Sequence, residues 1–399
     1  MGRIPAAEAT VHGRARRATG DEAHFGVTES LVLVKAAPPV EGAQWTGVIT
    51  TIALAALRSG LVEGVICMAS QPGSVLASRP ILALTEADVL SARGVKPMLS
   101  PSLAVLAEVE ARGLRRVMFV GVGCAVQALR AVEHHLGLEK LYVVGTNCTD
   151  NGTRLDKFLA AVSAEPLTVV GYEFMADYTV HVKHSTELYE RVPYFSLPAG
   201  ELKDVIAPSC YACFDYVNAL TDITVGYMAA PSEDVPMTQH WQYMTVRNER
   251  GRELVDLTGS ALITAPPESS GDRRPFVLET VLADDRATLG AGRQPAPRLV
   301  GSLLARLLTA IGPRGLEFAR YSLDYHTVRN ALYVKRTFSP AQAEAHLPAY
   351  AKAVVAAYDK DGLVSKRVPM KPGDVEPSWN GAAMALGTAV LGGLLLLQL

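Results

Sequence analysis

The chain has 399 residues, 49% of them hydrophobic, enough to bury one large core or two modest ones, which excludes a disordered polypeptide. Its 38 Lys and Arg against 40 Asp and Glu give a formal charge of −2, so there is no basic field of the kind that recruits nucleic acid. The 5 cysteines are an odd number in a chain too large to need disulfides, and no secretory signal precedes them; a reducing compartment follows.

The N-terminus carries Arg14, Arg16 and Arg17, but Glu8, Asp21 and Glu22 make it too acidic for a transit peptide, and Ala6 stands where a myristoylation signal wants Ser or Thr. It reads as part of the folded protein. From Ser30 to about Glu173 β-rich runs (Val62–Met68, Val117–Val122, Leu141–Gly145) alternate with helical stretches such as Ala125–His135. This is α/β layering, which places ligand-binding loops at the carboxyl ends of strands, where Gly121-Val-Gly-Cys124 and Gly145-Thr-Asn-Cys148 fall. From Leu167 the segments Thr168–Phe174, Tyr178–His184 and Tyr189–Tyr194 look antiparallel and open a smaller β-rich unit, which Asp222–Met228 and Tyr243–Arg247 continue before a loop at Pro266–Gly271.

Leu299–Ile311, apolar but interrupted by Arg306, predicts a core or interface helix, and Ala341–Tyr358 a further helix. Gly362 and the stretch Pro369–Pro377 form a linker. Trp379–Leu399 then runs 21 residues without a charge, enough at about 1.5 Å per residue to cross a bilayer core of about 30 Å. Lys366, Arg367 and Lys371 upstream would keep the body on the cytoplasmic or stromal side; a helix packed on a partner or core is the alternative reading. The expected fold class is α/β: an N-terminal layered α/β domain (1–165), a β-rich α+β unit with C-terminal helices (166–360), a linker (361–378) and a candidate transmembrane helix (379–399).

Cys67 lies in the apolar run Val65-Ile66-Cys67-Met68 and predicts a buried structural thiol. Cys210-Tyr-Ala-Cys213 is a C-x-x-C pair able to place two thiolates on one metal centre. With Cys124 and Cys148 in strand-end loops the count is four, the number that a 4Fe–4S cluster or a Cys-only zinc site requires; a redox dithiol remains a third reading. Gly121-Val-Gly123 is a weak dinucleotide signal, because Val126 stands at the third glycine position, and NAD is not expected. The Asn-x-Thr triplets at Asn147 and Asn151 are accidental outside a secreted protein.

Several ordered segments carry a resemblance: Gly42-Ala-Gln-Trp-Thr-Gly47, Arg93-Gly-Val-Lys-Pro97, the two cysteine loops, Ile206-Ala-Pro-Ser-Cys-Tyr-Ala-Cys-Phe-Asp215 and Gly315-Leu-Glu-Phe-Ala-Arg-Tyr-Ser-Leu-Asp-Tyr-His326. From about Thr10 to Tyr358 the chain resembles the 7-hydroxymethyl chlorophyll a reductase and cyanobacterial-type 8-vinyl reductase family, which is similar to the beta subunits of deazaflavin-reducing hydrogenases. The resemblance implies FAD, a 4Fe–4S cluster on Cys124, Cys148, Cys210 and Cys213, reduced ferredoxin as donor and a chlorophyll-type pigment as substrate. It also implies a chloroplast or cyanobacterial location on the stromal side of the thylakoid membrane, and a homo-oligomer is expected.

Within that resemblance Gln44-Trp45-Thr46-Gly47, before the helical stretch Val48–Leu57, is the flavin-phosphate loop, although spacing alone makes Thr46 an ordinary helix cap. Lys96 and Ser100 form a second polar cluster toward the cofactor, and Asn147, Asp150 and Asn151 flank Cys148 between cluster and flavin, loop capping being the alternative. Losing a hydroxyl as water requires a proton donor, for which Tyr325 and His326 are the candidates, with Arg320 as an electrostatic aid. Asn147 favours hydroxymethyl over vinyl reduction, since the vinyl reductases tend to carry Pro there. The family's N-terminal C-x-x-C-x-x-C segment, which feeds a second cluster, has no counterpart before Cys67; a sequence shortened at its start is expected, true loss of that electron entry point being the alternative. A reading of another class is a membrane-bound, non-catalytic interaction or assembly subunit of the photosynthetic apparatus.

Overall fold

The structure, a computed structural model, describes residues 1–71, 74–231, 235–292 and 294–374. The chain forms two compact units, each assembled from two stretches: Met1–Asn151 with Asp215–Pro267, and Gly152–Phe214 with the chain from Glu268 onward. The domains are therefore interleaved rather than consecutive, and the division expected near residue 165 is replaced by crossings at 151, 214 and 267.

In chain order the first stretch holds α1 (Ile4–His12), α2 (Glu22–Phe25), β1 (Ser30–Ala36), α3 (Val48–Arg58), β2 (Gly64–Gln71), β3 (Ser74–Ala83), α4 (Glu86–Ser91), α5 (Leu106–Ala111), β4 (Arg116–Gly121), α6 (Gly123–Val132) and β5 (Lys140–Thr146). The chain then enters the second unit with α7 (Leu155–Val162), β6 (Val169–Phe174), β7 (Thr179–His184), β8 (Tyr189–Pro193) and α8 (Ala199–Leu202). It returns with β9 (Ile223–Gly226), β10 (Gln242–Val246), α9 (Glu249–Asp256) and β11 (Leu262–Ala265), and leaves again with α10 (Arg274–Thr288), α11 (Arg298–Ile311), α12 (Leu316–Thr337), α13 (Pro340–His346) and α14 (Ala349–Tyr358).

Among the described residues the first unit has one sheet of 8 strands in the order β11-β1-β10-β9-β5-β4-β2-β3. Strands β2, β4, β5 and β9 are parallel, and β3, β10, β1 and β11 pair antiparallel around them. The near-continuous apolar runs follow from this, because both faces of the central strands are covered. Val65, Cys67, Met118, Tyr142 and Val144 pack in a core with Val48 and Ile52 of α3, whereas Ile66, Val117, Phe119, Leu141 and Val143 pack in a second core with Val126 and Leu129 of α6. The runs at 222–228 and 243–247 join this sheet as β9 and β10, not the smaller β-rich unit, since β9 pairs in parallel with β5 through Val144–Thr146. The N-terminal segment is folded into this unit: buried Glu8 accepts from Arg16 Nε at 2.9 Å.

The second unit has the expected antiparallel sheet β6-β7-β8. Its helices gather around α12, whose Asp324 is buried against Arg273 and the Tyr358 hydroxyl. The single helix expected over 341–358 is two, α13 and α14, because Pro348 supplies no N–H and Leu347 before it is extended. Among the described residues no helix is long and apolar enough to cross a membrane, and the candidate anchor Trp379–Leu399 lies outside them.

Candidate functional site

Strand direction gathers the candidates of the first unit at one edge. Strand β1 is antiparallel to β10, and β10 to β9, so β1 runs the same way as the parallel set and their carboxyl ends share an edge. That edge carries the loop 37–47 after β1, Cys124 after β4, Asn147 and Cys148 after β5 and Tyr227 after β9.

Thr46 does not cap α3; its buried hydroxyl accepts from the Ala36 N–H at 3.0 Å and clips the loop to β1. The cap position is Gly47, at φ 91°, where a Cβ would fall 2.6 Å from Val40 Cβ. With no side chain capping α3, its first N–H groups point where an anion such as a pyrophosphate is stabilised. Gln44 and Trp45 are buried, and the Trp45 indole stacks on Tyr227 at 5.2 Å with His240 edge-on at 5.9 Å.

The segment Arg93–Pro97 is adjacent, because a Cβ on Gly42 would lie 2.4 Å from Arg93 Nε. Lys96 turns its ammonium onto the carbonyls of Ala92, Arg93 and Gly94 at 2.7–2.9 Å, and burial pulls it down to about 8. Its described role is loop capping. Ser100 Oγ is buried without a partner among the described residues, a polar atom that a bound ligand would satisfy. The uncapped helix start and this hydroxyl fit a phosphate-bearing cofactor.

Cys124 sits in the first turn of α6, where desolvation pushes its thiol up and the backbone N–H groups of the helix start offset this only in part. The Cys148 N–H donates to Tyr216 O at 2.9 Å and its sulfur accepts from Asn151 Nδ2 at 3.3 Å, so Asn151 serves the thiol directly. Asn147 packs against β9, where a Cβ on Gly226 would stand 2.3 Å from its Oδ1; Asp150 is half-buried in the same loop. The glycines before these cysteines are required by the segment 215–221. A Cβ on Gly123 would meet Asp215 O at 2.8 Å, and one on Gly145 would meet Asn218 Nδ2 at 2.0 Å. Asn218, at φ 53°, donates to Gly121 O at 2.8 Å, and fully buried Arg247 donates to Val217 O at 2.7 Å; burial lowers that guanidinium to about 10. Cys67 is in the core, its thiol pushed up to about 12 by burial, as a structural cysteine should be.

In the second unit Cys210 and Cys213 bracket one 3-10 turn, and the carbonyls of Cys210, Ala212 and Cys213 accept from side chains of α12 and α13. Buried Asn330 of α12 donates from Nδ2 to Cys210 O at 2.7 Å and to Cys213 O at 2.8 Å. His346 Nε2 bonds Ala212 O at 2.7 Å and the Tyr350 hydroxyl donates to Phe214 O at 2.6 Å. Three side chains, from α12, α13 and α14, thus fix the backbone of the turn that carries the two thiols. Tyr325 and His326 are one turn before this clamp: the Arg329 guanidinium lies 4.9 Å over Tyr211 and 5.7 Å over Tyr325. His326 Nδ1 donates to Ser322 O at 2.7 Å, which makes Nε2 the basic nitrogen. Arg320 is apart from this group, bonded to Glu317 at 3.1 Å and Ser269 at 3.2 Å. Asn330, Arg329, His346 and Tyr350 have no signature in the sequence.

Among the described residues no group of three or more His, Cys, Asp or Glu is placed to hold a metal ion. The four expected ligands divide two and two between separately folded units. Their chemistry fits an iron–sulfur centre all the same, since none of them forms a disulfide and Cys148 already has an N–H···S bond of the kind that tunes such centres.

The coenzyme F420 hydrogenase/dehydrogenase beta subunit family matches the chain twice, with its N-terminal part over residues 31–107 and its C-terminal part over residues 114–269. The 7-hydroxymethyl chlorophyll a reductase of Oryza sativa subsp. japonica is 58% identical over 368 residues, covering 91% of this chain and 78% of that protein. An uncharacterized protein of Nostoc sp. (strain PCC 7120) is 45% identical, covering 89% and 87%. The coenzyme F420 hydrogenase subunit beta of Methanosarcina barkeri is 26% identical over 220 residues, 53% of this chain and 72% of that one. In fold, a chain of the F420-reducing [NiFe] hydrogenase complex from the same organism superposes with a TM-score of 0.58 at 20% identity, covering 81% of this chain and 97% of its own. The chain belongs to the 7-hydroxymethyl chlorophyll a reductase family, within the wider group of coenzyme F420 hydrogenase/dehydrogenase beta subunits.

Proposed function

We propose that this protein reduces the 7-hydroxymethyl group of a chlorophyll a-type pigment to methyl, taking electrons from reduced ferredoxin in a chloroplast stroma or cyanobacterial cytoplasm. The observation that carries the reading is 58% identity across 91% of the chain to a reductase of that name. The reaction takes two electrons and two protons and breaks one C–O bond, releasing water. When bound, a 4Fe–4S cluster supplies single electrons and FAD their paired delivery.

In this reading Cys124, Cys148, Cys210 and Cys213 hold the cluster, with Asn151 bonded to one sulfur and Asn330 fixing the turn that carries two others. Gln44–Gly47 and the start of α3 take the flavin phosphates, helped by Lys96 and Ser100, while Asn147 and Asp150 line the approach to Cys148. Tyr325 and His326 give the proton to the departing hydroxyl, and Arg320 acts through the local field. The test supplies purified holoenzyme and reduced ferredoxin with 7-hydroxymethyl chlorophyll a and, separately, with a divinyl pigment. A methyl product is expected from the first alone. Exclusive vinyl reduction would reassign the substrate, and protein isolated without air that holds neither iron nor FAD would favour a non-catalytic assembly role.

A further inference from the structure

The face of α11 turned away from its unit carries an apolar stripe along the helix. Gly301, Leu304 and Ala305 are buried; a Cβ on Gly301 would stand 2.4 Å from Ser196 Oγ and 3.0 Å from Pro193 Cβ, so the helix lies closely on the segment after β8. On the other side Leu299, Leu303, Leu307 and Ile311 repeat every fourth residue and are 74%, 57%, 38% and 46% exposed. Successive positions four apart fall on one side of a helix, so these four form a continuous stripe. Isolated surface leucines are ordinary, whereas a stripe of four marks a surface that is covered in use.

Charge identifies the occupant. From Arg286 to Leu316 the sequence holds 5 arginines, at 286, 293, 298, 306 and 314, and no acidic residue, within a chain whose formal charge is −2. Arg298, Arg306 and Arg314 are exposed, at the start, middle and end of the stripe. Leucines flanked by arginines, with no carboxylate between, match the layered chemistry of an anionic bilayer surface, where headgroup phosphates or sulfates lie above acyl chains. A second copy of this chain would bring the three exposed arginines against themselves. We infer that α11 is an interfacial membrane-binding helix that seats the second unit on an anionic lipid surface, independently of the charge-free segment at the C-terminus.

The experiment uses the full chain with vesicles of phosphatidylcholine alone or mixed equally with phosphatidylglycerol. Flotation should show stronger partition onto the mixed vesicles, weakened by salt. The variant Leu303→Ser/Leu307→Ser should lower the partition coefficient by about tenfold per leucine, the order expected for one aliphatic side chain returned to water. Arg306→Gln should weaken binding to the mixed vesicles and leave the phosphatidylcholine value unchanged. Leu167→Ser, at a residue 99% exposed and outside α11, is the control and should change neither. Leu303→Trp should be quenched by brominated acyl chains beyond the wild-type background, a readout local to this helix. The substituted side chains are on the surface, so the urea midpoints should stay at the wild-type value. Unchanged partition of the double serine variant, or absence of the added quenching, overturns the inference. So does a concentration-dependent dimer that the serine variant abolishes, since a second copy would then be what covers the face.

Discussion

Replacing Asn330 by leucine keeps the branching of the side chain, puts bulkier methyl groups in place of the amide and removes both hydrogen bonds to the C-x-x-C turn, those to Cys210 O at 2.7 Å and Cys213 O at 2.8 Å. Each bond is worth about 1 kcal/mol net, and a carbonyl left facing an apolar side chain adds about 1 kcal/mol more, so Asn330→Leu should cost about 2–4 kcal/mol. Against a total stability of roughly 5–15 kcal/mol this is a large fraction. Asn330→Asp keeps the shape but aims a carboxylate at two carbonyl oxygens, and at neutral pH it should cost at least as much. Urea unfolding gives the stability, and iron per chain in protein purified without air gives the consequence for the turn. Both variants should lose iron faster than wild type on gel filtration. If Asn330→Leu unfolds at the wild-type midpoint and retains iron equally, the clamp has no energetic role and the reasoning fails.

Gly145→Ala places a Cβ 2.0 Å from Asn218 Nδ2, and displacing that buried amide also breaks its bond to Gly121 O; about 3 kcal/mol of destabilisation is expected, read as a lowered thermal midpoint. Cys210→Ser and Cys213→Ser should each lose cluster iron, whereas Cys67→Ala, whose thiol is held in the core, should keep full iron and flavin content. His326→Ala should lower turnover of the hydroxymethyl pigment by about a hundredfold with binding retained, and unchanged turnover would remove its role. Stability should fall on acidification in two stages. His12, held neutral by burial at about 4, favours the folded state fully above its usual 6.5, and that contribution of about 3 kcal/mol is lost as pH falls from 6.5 to 4. Glu22, held at about 2 chiefly by its bond to Arg14, adds a second loss between its usual 4.5 and 2; a His12→Asn variant should flatten the first stage alone.

The strands and most helices were legible because their signals are local. Periodicity places Val169–Phe174 and Thr179–His184 within a residue or two of expectation, and Pro348 was there to be read as a break in the last helical pair. The segments Gly42–Gly47 and Arg93–Pro97 were legible as motifs, and the fold brings Gly42 and Arg93 side by side. Spacing alone makes Thr46 a helix cap, because its actual partner, the Ala36 N–H, is ten residues away on a strand and leaves no local mark. Arg320 has a local partner in Glu317 that the helix spacing of three residues already offered.

What the sequence by itself determined is the alternation of apolar runs that builds a two-faced sheet, the count and surroundings of the thiols, and the motifs that carry the family. Tertiary structure alone decided that residues 223–246 return to the first sheet, that the glycines of both cysteine loops make room for residues 215–221, and that Asn330 holds a turn about 120 residues before it. The physical reason is that a strand's apolar pattern specifies burial but not its neighbour. A backbone carbonyl likewise accepts any donor that the rest of the chain delivers within about 3 Å.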